Sequence, residues 1–144
     1  MNVMVLNGPN LNLLGSREPD VYGDLSLESL EKALLRRARE LNVEIVARQT
    51  NSEEQMISWI HEAFTNGTPV IINPGAFTHY SYALRDACAA LTKAGNQLIE
   101  VHISNPHARE SFRHTSVISG VASGVIAGFG FDSYLLALEQ LTRN

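Results

Sequence analysis

The chain has 144 residues, 11 Lys and Arg against 15 Asp and Glu for a net charge of -4, and 44% hydrophobic residues. That is enough for one domain with its own core, and with no basic run longer than Arg36–Arg37 it offers no footprint for nucleic acid or an anionic membrane. The lone Cys88 has no internal disulfide partner, and MNVMVLNGPN lacks the basic head and apolar stretch of a signal peptide. With no apolar run near the roughly 20 residues of a membrane helix, a soluble, cytoplasmic protein that binds a small polar ligand is expected.

Taken in order, the apolar period alternates between strand and helix, without repeats or low-complexity segments. Strands are predicted at Asn2–Leu6, Val43–Arg48, Pro69–Ile72, Gln97–Ile103 and Gly124–Ala127, the third and fifth short and apolar like fully buried parallel strands. The first helix starts after Ser26 as N-cap and turns Leu27, Leu30, Leu34, Ala38 and Leu41 inward. The second opens on a capping box, Ser52-Glu53-Glu54-Gln55, buries Met56, Ile57, Ile60, Ala63 and Phe64, and stops at Asn66-Gly67. A third covers Ser81–Lys93, and a short one is expected within His107–Phe112. The last spans Asp132–Leu141 with Leu135, Leu138 and Leu141 inward. Strands alternating with helices predict an α/β, doubly wound five-stranded parallel sheet of order 2-1-3-4-5 with helices on both faces.

In such sheets ligands sit beyond the carboxyl ends of the strands, at the switch point between strands 1 and 3. Asn7-Gly8-Pro9-Asn10, Asn73-Pro74-Gly75-Ala76 and Glu100-Val101-His102-Ile103-Ser104 all end there. Glu100 and His102 are two apart on a strand and leave one face. A carboxylate beside an imidazole can orient it and raise its pKa, which suits a general acid; the alternative is a polar pair solvated at a strand end. His102, His107 and His114 lack a metal-ligand spacing, and Cys88 reads as a small core residue. The segment after strand 1 is long for a βα connection, as binding loops and lids are. Within it Arg17 and Tyr22 are five apart, and a cation near a phenol favours the phenolate, a base.

The stretches LNGPNLNLLGSREPDVYG, INPGAFTHYSYALRDA and EVHISNPHARESFR resemble the type II 3-dehydroquinate dehydratases over nearly the whole chain. The resemblance implies a flavodoxin-like fold, no cofactor, a dodecamer built as a tetramer of trimers, and a single catalytic domain, 1–144, with a mobile lid around 15–24. It implies loss of water from 3-dehydroquinate to give 3-dehydroshikimate, by anti elimination through an enolate. Tyr22 would take the C2 proton as an anion held by Arg17, and Asn10 would position a water against the enolate oxygen. His102, oriented by Glu100, would protonate the departing C1 hydroxyl. Asn73 and the backbone N–H groups of Ile103 and Ser104 would meet the substrate carboxylate. His79 and Arg113 would contact the ring hydroxyls, and Asp86 would reach into a neighbouring subunit's site.

Removing a proton α to a ketone requires a strong positioned base, a stabiliser for the enolate and an acid for the leaving group, and these residues supply all three. The chain departs from the family pattern at Phe77, where tyrosine is frequent, at Tyr80 and Tyr82, where threonine and valine are common, and at Asn51-Ser52-Glu53-Glu54, which lacks a histidine and a glycine often found there. These changes bear on hydroxyl recognition, the trimer contact and lid contacts. A flavin carrier would need a Ser/Thr-rich phosphate loop after strand 1, and a receiver domain acidic residues there. Neither is present. A pure interaction module leaves Glu100, His102, Arg17 and Tyr22 unexplained.

Overall fold

The structure is a computed structural model that describes residues 1–15 and 25–143. Its five strands, β1 (Asn2–Asn7), β2 (Glu44–Gln49), β3 (Val70–Asn73), β4 (Leu98–His102) and β5 (Gly124–Ala127), form one sheet in the order β2-β1-β3-β4-β5. Every pairing is parallel, as predicted for this flavodoxin-like arrangement. The register sets Asn7 against Asn73 and His102 against Ala127, so the polar ends of β1, β3 and β4 share one edge of the sheet.

Strand parity sorts the core into two layers. Val3, Val5, Ile71, Ile99 and Val101 pack with Leu30, Leu34 and Ala38 of α1 (Leu27–Glu40) and with Tyr134, Leu138 and Leu141 of α4 (Asp132–Leu141). Met4, Leu6, Val70, Ile72 and Leu98 face the other way, against Met56, Ile60 and Ala63 of α2 (Glu53–Asn66) and Leu84, Cys88 and Leu91 of α3 (Tyr82–Lys93). Glu100 has the parity of Leu98, so its carboxylate enters this second layer, where a strand of this kind ordinarily buries an apolar side chain.

Several local expectations are corrected. The reciprocal capping box belongs to α1, where Ser26 and Ser29 satisfy one another's backbone N–H; at α2, Ser52 accepts from the N–H of Gln55. Phe64 is exposed although Ala63 beside it in the last turn of α2 is fully buried, and Ile57 and Leu135 are only partly buried. β5 is an edge strand with Val125 exposed, not a buried one. The short helix of 107–112 is two 3-10 turns, Pro106–Ala108 and Ser111–His114, with the extended Arg109 between them. Among the described residues no helix is long and apolar enough to cross a membrane.

Candidate active site

Two glycines let the loops after β1 and β3 lie against each other. A Cβ on Gly8 would stand 2.5 Å from the carbonyl oxygen of Pro74, and Gly75, at φ +57°, has its Cβ direction 3.2 Å from Pro9. A larger residue at position 8 would force the two backbones apart, and one at 75 would add left-handed strain. The contact is sealed by the Gly8 N–H donating to the Asn73 carbonyl at 2.8 Å. The chain then turns through Asn10, also left-handed at φ 70°, a conformation asparagine tolerates better than most residues. The Asn10 N–H donates to Asn51 Oδ1 at 3.0 Å, and Gln49 Nε2 donates to that same oxygen at 3.1 Å and to the Gly8 carbonyl at 3.1 Å. Asn51, which opens the stretch lacking the family's histidine and glycine, is thus an anchor of the loop that carries Asn10.

At the end of β4 the expected pair is formed. His102 Nε2 lies 2.5 Å from Glu100 Oε2. The carboxylate is fully buried and also accepts from Thr78 Oγ1 at 2.6 Å, Ser119 Oγ at 2.5 Å and Ser116 Oγ at 3.3 Å to each oxygen. Burial by itself would push its pKa up; the hydrogen bond and charge of His102, with the bonds from Ser119 and Thr78, outweigh this and hold the carboxyl below its ordinary value. The same burial, joined by the charge of Glu100, pushes the Cys88 thiol up to about 12.

A cavity of about 220 Å³ opens between these elements, lined by Pro9 and Asn10 from the first loop, Gly75, Ala76 and His79 after β3, and His102, Ser104, Pro106, Arg109, Phe112 and Arg113 after β4. Its walls combine apolar surface with a few convergent polar groups, as small-molecule sites do. His79 is set by its Nδ1 at 2.8 Å from the Thr115 carbonyl and by an edge contact with Phe112 at 5.7 Å. The Arg113 guanidinium lies 4.6 Å from the centre of the Phe112 ring and donates from Nε to Glu110 Oε1 at 2.8 Å. Arg109 donates to Ser104 Oγ at 3.2 Å. His102 also forms the wall of a second cavity, of about 340 Å³, toward β5.

Five expected residues therefore meet around one space: Asn10, His79, His102, Ser104 and Arg113. Glu100 stands behind His102. Three others do not line that cavity. Ile103 turns its side chain into the α1/α4 layer of the core. The Asn73 amide is 2% exposed, donating to Tyr134 Oη at 2.8 Å and accepting from the Gly75 N–H at 3.1 Å. Tyr134 in turn donates to Asn7 Oδ1 at 2.5 Å, whose buried Nδ2 has no partner among the described residues. Asp86 is exposed on α3, paired with Arg85 at 2.9 Å. Arg17 and Tyr22, with the expected lid, lie outside the described residues. Arg109, Phe112, Asn51 and the three hydroxyls around Glu100 were not picked out from sequence. Arg109 and Phe112, in EVHISNPHARESFR, and Thr78, in INPGAFTHYSYALRDA, had a signal, whereas Ser116 and Ser119 come from a segment with no motif of its own.

A doubly wound sheet with a polar cavity beyond its carboxyl edge, and a histidine tied to a buried carboxylate on the cavity wall, defines an α/β enzyme equipped for acid–base chemistry. Dehydroquinase class II matches residues 1–142. The chain belongs to that family. The 3-dehydroquinate dehydratase of Corynebacterium pseudotuberculosis (strain C231) is 54% identical over 144 residues, 100% of this chain and 98% of that protein. Among solved structures, the type II dehydroquinase from Propionibacterium acnes is 48% identical with a TM-score of 0.95, covering 99% of this chain and 97% of that one. The type II dehydroquinase from Butyrivibrio crossotus DSM 2876 is 45% identical, again with a TM-score of 0.95, over 99% of this chain and 98% of that one.

Proposed function

We propose that this chain is a hydro-lyase that converts 3-dehydroquinate to 3-dehydroshikimate, with the acid and binding steps assigned to residues in and behind the cavity just described and the base to Tyr22 of the segment after β1. The observation that carries the assignment is the Glu100–His102 contact of 2.5 Å on a cavity wall at the carboxyl edge of the sheet. The reaction is a step of the shikimate route to aromatic amino acids and of quinate breakdown.

Tyr22, as a phenolate favoured by the Arg17 guanidinium, removes the C2 proton, and the electron pair moves onto the ketone oxygen as an enolate. A phenol in water titrates near pH 10, so roughly one in a thousand is ionised at pH 7; a cation within about 4–6 Å corrects this by one to three units. Asn10, held through its backbone by Asn51, positions a water that donates to the enolate oxygen. The enolate then collapses, the C1–O bond breaks, and His102 gives its proton to the departing hydroxyl, so that water leaves. Glu100 keeps the ring of His102 in place through this transfer. The substrate carboxylate lies against the backbone N–H groups of Ile103 and Ser104, with Asn73 bracing that wall through Gly75. His79 and Arg113 receive the ring hydroxyls.

The domain spans 1–144, with 15–24 closing over bound substrate and excluding water. The protein works without a cofactor, in the cytoplasm, as a dodecamer arranged as a tetramer of trimers. The exposed Asp86 on α3 fits a role in a neighbouring subunit's site, and the exposed Val125 and Phe129 supply apolar surface for subunit contact. The test is the ultraviolet absorbance of the conjugated enone formed from 3-dehydroquinate by chelator-treated, colourless protein, with its mass read by sedimentation. Full turnover at a mass near twelve chains is expected. Activity that vanishes with the chelator and returns with a metal overturns the cofactor-free reading, and a fully active monomer overturns the assembly.

A further inference from the structure

The carboxylate behind His102 is unusual in how it is held. Three hydroxyls from three segments converge on it: Thr78 from the 3-10 turn after β3, Ser116 from the loop beyond Arg113, and Ser119 from the 3-10 turn Ser119–Val121. With His102 they surround the carboxylate: His102 and Thr78 bond Oε2, Ser119 bonds Oε1, and Ser116, with its single proton, lies 3.3 Å from each oxygen. Ser116 is itself polarised, because its Oγ accepts the N–H groups of Ile118 and Ser119 at 3.0 Å each and lies 2.5 Å from Thr78 Oγ1. Two peptide dipoles are thereby relayed through a hydroxyl onto a fully buried anion. Neither Ser116 nor Ser119 lines the cavity assigned to the substrate.

We propose that Thr78, Ser116 and Ser119 are positioning residues for the dehydration, acting through Glu100: they keep it a carboxylate in one orientation, so that the Nε2 proton stays on His102 and the ring, charged, can give the proton of its other nitrogen to the leaving hydroxyl. The inference rests on the functional assignment above for what the pair does, but not for how the pair is held. Without a donor the buried charge is less favoured, and the proton between the pair moves toward Glu100, which leaves His102 a neutral ring and a weaker acid. Besides His102, the titratable or charged groups that face this carboxylate are Cys88 from α3, His79 after β3, and His107, Arg113 and His114 after β4; β5 contributes only Val125 and Ala127.

The test compares wild type, Ser119→Ala, Ser119→Thr and Thr78→Val in turnover of 3-dehydroquinate and in pH-difference infrared spectra. The protonated-carboxyl band of Glu100 is identified by its loss in Glu100→Gln. Ser119→Ala should lower kcat roughly tenfold and leave KM within about twofold, because one hydrogen bond to a charged group is lost away from the substrate. Its Glu100 band should grow in at higher pH than in wild type, and Ser119→Thr, which keeps the hydroxyl, should behave as wild type. Thr78→Val removes a donor from another segment at nearly constant volume and should give the same pair of changes, so the proposal stays testable if Ser119→Ala does not fold. A Glu100 band that does not move in either donor-less variant overturns the proposal, as does a rise in KM at unchanged kcat. The infrared reading does not require turnover, so a protein that fails to dehydrate 3-dehydroquinate would break the functional assignment and leave the hydroxyl cage to be judged on its own.

Discussion

Glu100 and Glu110 both have carboxyls held below the ordinary range, and they reach it by opposite routes. Glu110 stands on the exposed rim, where the hydrogen bond from Arg113, then its own backbone N–H, then the charges of Arg113 and Arg109 hold it at about 2. Glu100 is dry, and its partners are one imidazole and three neutral hydroxyls. At the surface a guanidinium stays partly hydrated and serves as counter-ion at little cost. In the interior it would have to be desolvated as well, so dipoles that are already part of the fold are the cheaper means of keeping a charge there. The rim carboxylate is thus balanced by guanidinium groups, whereas the buried one is balanced by an imidazole and by hydroxyls of the fold itself.

The contrast is broken most severely by cutting the inner pair. His102→Ala and Glu100→Gln should each lower kcat by about 10²–10⁴-fold, the usual contribution of a positioned acid. Glu100→Gln also leaves hydroxyl donors facing an amide, so its melting temperature should fall. Because the carboxyl of Glu100 is depressed in the fold, the stability it contributes is present above the ordinary carboxylate value of 4.5 and is lost as pH falls through its lower folded value. The gap in unfolding free energy between wild type and Glu100→Gln should therefore be constant from neutral pH to about 5 and narrow on further acidification, a trend that denaturant titrations at several pH values will check.

Breaking the rim should read differently. Arg113→Ala removes a charged donor from the cavity wall and should raise KM about tenfold with a smaller change in kcat, in steady-state kinetics. Asn51→Ala frees the Asn10 backbone N–H without touching the pair, and should cost a few-fold in turnover, consistent with about 1 kcal/mol for one lost hydrogen bond. The smallest effect belongs to Glu110→Gln. Its depressed carboxyl contributes stability above about pH 4.5 that is lost toward pH 2, but the group is exposed and screened, so melting curves between those limits should nearly superimpose on wild type.

The strands and their order were legible in the sequence because short apolar or alternating runs, separated by helical periods, survive any detail of packing. So was the pairing of Glu100 with His102, which needs only strand parity. What failed depended on neighbours distant in the chain. The helical period of α2 continues to Phe64, but the core of that turn is reached by Ala63 and leaves Phe64 outside, and β5 has the composition of an interior strand while lying at the edge of this sheet. The hydroxyls of Thr78, Ser116 and Ser119 lie 22, 16 and 19 residues from Glu100 and acquire meaning only when the fold brings them to one carboxylate. Asn51 opens a stretch that lacks the family's histidine and glycine, and its own part, holding the backbone of Asn10, depends on a residue 41 positions away.

The central claim is that His102, fixed by a buried carboxylate, is the acid for the leaving hydroxyl and not the base for the C2 proton. Proton NMR of 3-dehydroquinate in D₂O separates the two steps. With His102→Ala the C2 proton should still exchange for deuterium, because Tyr22 and the enolate water remain, while 3-dehydroshikimate forms at least about a hundredfold more slowly than with wild type. With Tyr22→Phe both exchange and product should be lost. A His102→Ala protein that neither exchanges nor dehydrates, or a Tyr22→Phe protein that still exchanges C2, would contradict the account.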